Sequence, residues 1–164
     1  MDVLPFYKDS FFCGLGRKDG LQLKMMYDKG IVFCDVNIDK RFEGYTDVLH
    51  GGMIFGILGV TIWYAVFLET KKIYMSRHTE MDFLKPVMCN TPYRAKGKFL
   101  KVEKRDFLAT AWMEDQNGEL CARVNAIFVE AKDISAARFI DKFDFSYTSP
   151  KIKQHFYSLL GEST

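Results

Sequence analysis

The chain lacks the clustered ligands that build metal centres. Its four cysteines, Cys13, Cys34, Cys89 and Cys121, are scattered without a Cys-x-x-Cys pair, and His50, His78 and His155 lie far apart. Structural zinc sites and redox dithiols need such residues at close spacing. No metal-ligand set and no cofactor is therefore expected, and the thiols read as reduced, as in a cytoplasmic protein. An excess of one charge is also missing: 23 Lys+Arg face 21 Asp+Glu, a formal net charge of +2. Nucleic-acid binding usually rests on a concentrated basic face, so that class is set aside. There is no internal repeat and no low-complexity stretch. The opening residues, MDVLPFYKDS, lack the basic-then-apolar order of a secretion signal.

Charge is absent from one further place. From Gly51 to Leu68 no charged residue occurs, and the first carboxylate after the run is Glu69. Eighteen such residues sit at the lower limit for crossing a bilayer. The run is solitary, carries Gly51, Gly52, Gly56 and Gly59, and lies between two stretches that read as strands. It is therefore expected to be a helix buried on all sides in a water-soluble core, about 28 Å long at ~1.5 Å per residue, with no membrane span. His50-Gly51-Gly52 opens it. Bare backbone N–H groups at such a start favour negative charge.

At 164 residues the chain is large enough for one sizeable core. Residues 1–20, with Pro5, Gly14, Gly16 and Gly20, read as an irregular lead-in. A strand over 21–27, a turn at Asp28-Lys29-Gly30 and a strand over 31–38 make a hairpin. A loop over 39–49 precedes the helix. Strands follow over 73–84, 93–103, 106–113 and 120–130, with Asp115-Gln116-Asn117-Gly118 as a hairpin turn. In the last strand Leu120, Ala122, Val124, Ala126 and Phe128 alternate onto one face. In the tail, Ser149 and Pro150 open a helix with Ile152, Phe156, Leu159 and Leu160 as its stripe and Gly161 after its end. This helix is expected to cover a sheet edge or a partner subunit. Six mostly antiparallel strands bury one apolar helix only by curling around it, which makes the fold α+β.

That order, with three motifs, resembles the hotdog fold and within it the phenylacetate-type acyl-CoA thioesterases. Cys13-Gly14 followed by Gly20-Leu21-Gln22-Leu23 is similar to the family's approach to its first strand. The segment from Phe42 through Glu43, Gly44, Tyr45 and Thr46 to His50-Gly51-Gly52 resembles its loop and HGG helix start. Met81-Asp82-Phe83-Leu84-Lys85-Pro86-Val87 resembles its strand end. The resemblance covers residues 13–131. It implies a hotdog domain over 1–132, with 133–164 as an extension packed on that domain or on the dimer partner. It further implies an acyl-CoA ligand and a homo-oligomer, a dimer or a dimer of dimers.

Thioester hydrolysis needs a donor for the charge that develops on the carbonyl oxygen and a group that activates water or attacks directly. The resemblance assigns the donor to the Gly51 N–H. The other reading of Gly51 and Gly52 is a tight passage from loop to helix. His50 would orient the loop by hydrogen bonding, or act as a base. The family usually carries Asp or Glu nine residues after this His; here that position is Gly59, followed by Val60. Thr61, the nearest polar group, is expected to bond a backbone carbonyl. Glu43, where relatives often have a glutamine near the thioester, is either a replacement carboxylate or a solvated loop residue. Asp47, where relatives often have glycine, is a helix-capping acid or a second base, capping being the expectation. Ser76 stands where some relatives reach the pocket across the dimer interface. In a regular strand it would share a face with His78, Glu80 and Asp82. Lys96, Lys98, Lys101, Lys104 and Arg105 would meet coenzyme A phosphates or simply keep a strand edge soluble. The expected function is hydrolysis of a fatty or aromatic acyl-CoA, and the alternative is non-catalytic acyl-CoA binding or sensing. A hydratase fits poorly: Asp35-Val36-Asn37 opens that pattern, but Lys40 replaces its His.

Overall fold

The computed structural model describes residues 1–159. Among these, nine strands and two α-helices run in the order β1 (Asp2–Val3), β2 (Phe6–Tyr7), β3 (Met26–Asp28), β4 (Ile31–Val36), α1 (Gly51–Thr70), β5 (Tyr74–Phe83), β6 (Tyr93–Glu103), β7 (Asp106–Glu114), β8 (Leu120–Glu130), β9 (Phe143–Asp144) and α2 (Pro150–Ser158). Seven strands form one antiparallel sheet, ordered β1-β3-β4-β6-β7-β8-β5, and β2 pairs with β9 separately. The helix α1 lies on β4, β6, β7 and β8. This is the expected α+β hotdog architecture: a sheet around one central helix, with a C-terminal helix added.

Alternation explains why the sheet holds α1. Val32, Cys34 and Val36 of β4 are buried, as are Ala109, Ala111 and Met113 of β7 and Ala122, Val124, Ala126 and Phe128 of β8. Many of these are small, so the helix sits low on the sheet. The helix comes close at Gly97 of β6, where a Cβ would stand 3.0 Å from Thr61 Cγ2 and 3.3 Å from the Thr61 backbone. Thr61 is fully buried, and its hydroxyl donates to the Ile57 carbonyl at 2.7 Å, as expected. By length and composition α1 is apolar enough to span a membrane, yet Ile57, Leu58, Val66 and Phe67 are wholly enclosed by this fold.

The first third of the chain departs from expectation. Residues 1–20 are not wholly irregular, because β1 extends the sheet beyond β3 and β2 pairs with the tail. The strand expected over 21–27 shrinks to three residues. Gln22 takes a left-handed φ of 50°, and residues 21–25 bond elsewhere: Leu21 N–H donates to Phe11 O and Leu23 N–H to Phe12 O, while Met25 O accepts from Leu4. The turn is as expected. Lys29 and Gly30 have φ of 46° and 85°, the mirror-image geometry that favours glycine in two-residue hairpins.

The tail folds onto the same chain. Phe143 lies among Trp63, Tyr64, Phe67 and Phe156, with ring centroids 5.2–6.5 Å apart. The tail therefore covers α1 through Phe143, and its helix α2 approaches the edge strand β1. Pro150 opens α2 as expected, but Ser149 does not cap it with its side chain. Its hydroxyl accepts the Val3 N–H at 2.8 Å and ties the tail to β1 instead. Ile152, Phe156 and Leu159 are buried, whereas Leu160 and Gly161 fall outside the described residues.

Candidate functional site

The site begins with the backbone at the start of α1. His50 occupies the cap position, and its Nδ1 accepts the Gly52 N–H at 2.9 Å. A ring nitrogen that accepts carries no proton, so the neutral imidazole holds its hydrogen on Nε2. This arrangement leaves Nδ1 engaged at the helix start. The Met53 N–H donates to the His50 carbonyl at 2.9 Å. Of the first-turn donors, the Gly51 N–H is thus left without a partner among the described residues. The loop before it is pinned on both sides, by His50 N–H to Phe42 O at 2.9 Å and Leu49 N–H to Val87 O at 2.8 Å.

Gly51 faces a pocket of about 550 Å³ whose walls include Tyr45, His50, Ile54, Phe83 and Pro86. The Phe83 ring lies over Gly51, so that a Cβ there would meet it at 3.2 Å. Glycine keeps the N–H reachable beneath that ring. Among the described residues no carboxylate lines this pocket.

The expected acids are placed elsewhere. Glu43 is exposed, and its Oε2 accepts the Asp47 N–H at 3.0 Å, closing the loop. Its neighbour Gly44 lines the pocket. Asp47 does not cap the helix, since His50 does. Its carboxylate pairs with Lys40, its carbonyl accepts from Cys89 N–H at 2.8 Å, and its φ of 66° accounts for the glycine of relatives. Gly59 faces a second hollow of about 350 Å³, shared with Phe55, Ser76 and Thr79, and a Cβ on it would have nothing within 4 Å.

Ser76 does not share a face with His78, Glu80 and Asp82. A register shift between Ser76 and His78 interrupts the pairing with β8. Ser76 stands opposite the inward Phe128 and His78 opposite Ile127, while Asp82 pairs with Arg123 on the outer face. The irregularity at Arg77 therefore turns Ser76 toward α1, in the manner of bulges beside functional sites. Nothing in the residue pattern marks such an extra residue. Within one chain Ser76 lies at the Gly59 hollow rather than at the Gly51 pocket.

The basic stretch divides. Lys96 pairs with Glu114 and Lys101 with Glu103. Lys104 and Arg105 instead join Lys72, Arg77 and Lys132 around a cleft of about 800 Å³ at the far end of α1. These cations are distant in sequence, so local patterning did not link them. All four cysteines are free and buried; burial pushes the Cys34 thiol up to about 12. Among the described residues no group of three His, Cys, Asp or Glu is placed to hold a metal.

A family model described as Thioesterase superfamily matches residues 46–122, which run from the loop before His50 into β8. An uncharacterized protein of Schizosaccharomyces pombe is 26% identical over 104 residues, which is 60% of this chain and 59% of that protein. The chain thus spans well under two thirds of that relative. Among solved structures, a thioesterase superfamily protein designated RHA08564 superposes with a TM-score of 0.70 at 18% identity, covering 75% of this chain and 61% of that one. The Escherichia coli PaaI protein of the phenylacetic acid degradation operon gives 0.60 at 15% identity, covering 66% and 78%. A hypothetical thioesterase of Streptococcus pneumoniae solved with coenzyme A gives 0.61 at 13% identity, covering 66% and 88%. At these identities the structural matches establish the fold.

Proposed function

We propose that this chain is an acyl-CoA thioesterase of the hotdog type, in which the Gly51 N–H polarises the thioester carbonyl. The observation that carries the reading is that unpaired N–H, held at the start of α1 beneath Phe83 in a pocket open to a ligand. A carbonyl oxygen placed on it gains a fixed donor and the positive end of the helix as negative charge develops. Water is activated by a group outside α1, because Gly59 and Val60 have no acid to offer. Glu43 is the carboxylate this reading assigns. It sits one residue before the pocket-lining Gly44, with Oε2 committed to the loop.

The proposal includes a homodimer joined at β5. This ten-residue strand is an edge of the sheet, bonded on one side only among the described residues, and it exposes Met75 and Phe83 beside the exposed Phe55 of α1. Long edges with apolar side chains are normally covered. A second copy adding its own β5 antiparallel about a two-fold axis covers both edges at once. That operation carries Ser76 of the partner subunit toward Phe83, and so toward Gly51. Resemblance to phenylacetate-type enzymes, among them the fold of the Escherichia coli PaaI protein, supports this reading.

The competing reading is a protein that binds acyl-CoA without cleaving it, favoured by the lack of any carboxylate in the pocket wall among the described residues. Free-thiol release from a panel of short, long and aromatic acyl-CoAs separates the two, run beside Glu43→Gln. The amide oxygen can still accept the Asp47 N–H, so the loop is kept while the base is lost. Turnover by the parent that falls about 100-fold or more in the variant supports hydrolysis through Glu43. Turnover untouched by the change removes Glu43 from the mechanism. No turnover, with acyl-CoA raising the melting temperature, supports the binding protein.

A further inference from the structure

We propose that the acyl chain of the ligand runs along α1 past Gly59 and ends in an apolar chamber, open on one side, between α1, the tail and the N-terminal segment. The inference rests on acyl-CoA binding at the Gly51 pocket. It adds the substrate class: linear acyl chains of medium to long length, rather than short or compact aromatic ones.

The chamber has a volume of about 380 Å³. One wall is α1, with Val60, Trp63 and Tyr64; the other is Cys13 from the N-terminal segment with Ile134 and Phe139 from the tail. Among the described residues no charged one lines it, and its polar groups are few. The Tyr64 hydroxyl is already spent on the Pro5 carbonyl at 2.6 Å, with Cys13 Sγ 3.6 Å away. A carboxylate or phosphate would find no partner there, whereas a hydrocarbon end fits the surface chemistry.

Two relationships join the chamber to the site. It shares Trp63, Tyr74 and Met75 with the hollow at Gly59, so these two spaces are neighbours across common side chains. That hollow in turn follows the Gly51 pocket along the helix, since Gly51, Phe55 and Gly59 recur at four-residue spacing on one face. From Gly51 to Trp63 the helix advances about 18 Å at 1.5 Å per residue, a length suited to an extended acyl chain. The glycines of α1 are not equivalent along this route. At Gly56 the Phe12 ring fills the space a side chain would take, 2.1 Å from an ideal Cβ, whereas at Gly59 the space is empty. A residue without a side chain at Gly59 keeps the route open where the resemblance places an acid.

The test uses the full chain and S-alkyl-CoA thioethers, which cannot be hydrolysed, with hexyl, decyl and tetradecyl chains, titrated calorimetrically. Affinity is expected to rise by about fourfold per methylene while chain enters apolar surface, so that burying only two of the four methylenes added from hexyl to decyl already gives a gain of at least tenfold. Gly59→Leu, which blocks the route, and Val60→Phe, which fills the chamber, should each remove that gain and leave S-hexyl-CoA binding unchanged. Circular dichroism checks that each variant folds, and either one alone suffices. If chain length has no effect, or if the gain survives both variants, the chamber assignment is wrong while CoA binding at Gly51 stands. If no thioether binds, the function proposed for the site fails and this inference with it.

Discussion

The His50 imidazole accepts the Gly52 N–H through Nδ1 at 2.9 Å, so a histidine caps the helix on which the proposed site is built. Removing the acceptor leaves that first-turn donor unpaired. His50→Ala should therefore lower stability by about 1 kcal/mol, the usual worth of a cap. His50→Asn restores an acceptor at the cap and should recover most of the loss. Urea unfolding of the three proteins measures this. Equal losses for both variants would show that the ring acts through something other than the cap.

Two glycines one turn apart should respond in opposite directions to the same substitution. Gly56→Ala drives a methyl into the Phe12 ring, 2.1 Å from an ideal Cβ. It should cost about 1–3 kcal/mol as the ring is displaced. Gly59→Ala meets nothing within 4 Å and should gain up to about 1 kcal/mol from helix propensity. Thermal unfolding of the pair decides the matter. A destabilised Gly59→Ala would show that the hollow beside it is filled in solution.

Stability should fall in alkali. Burial raises the Cys34 thiol from 9.0 to about 12, and burial raises the Tyr64 and Tyr74 hydroxyls well above their ordinary 10.0. The unfolded chain then releases these protons first, so the folded state holds more of them and unfolding becomes easier as pH rises. Their contribution is fully present below pH 9 and is lost as pH climbs through 12. Urea midpoints between pH 8 and 11 should decline, and Cys34→Val should remove part of the slope. A flat profile above pH 9 would contradict the burial of these groups.

The legibility of the chain follows the range of the forces involved. The α1 helix, the β7 and β8 alternation and the Lys29-Gly30 turn depend on neighbours in sequence, and each was readable there. The helix start at His50-Gly51-Gly52 is readable too, because HGG followed by an uncharged run is a local pattern. The N-terminal strands were not, because β1 and β2 exist only through partners at Tyr27 and Phe143, remote along the chain. Ser149 misled for the same reason: its hydroxyl had a distant backbone partner in Val3 that outcompeted the local cap. Ser76 leaves the face of His78, Glu80 and Asp82 because the strand is not regular: one extra residue at Arg77 inverts the alternation.

The last prediction concerns the open edge of β5. Met75 is 64% exposed on a strand that bonds β8 on one side and nothing on the other among the described residues. If two chains join there, light scattering on the parent protein should give twice the mass of one chain. Met75→Asp sets a carboxylate near its own copy across the two-fold and removes apolar contact, which should shift the equilibrium toward monomer by at least tenfold. Because Met75 is exposed, the fold of each chain should keep its melting behaviour apart from the lost association. Thiol release from a short acyl-CoA should fall in step with the dimer fraction if Ser76 of the partner subunit completes the pocket at Gly51. A monomeric variant with full turnover would instead confine the chemistry to one chain and leave β5 with a structural task alone.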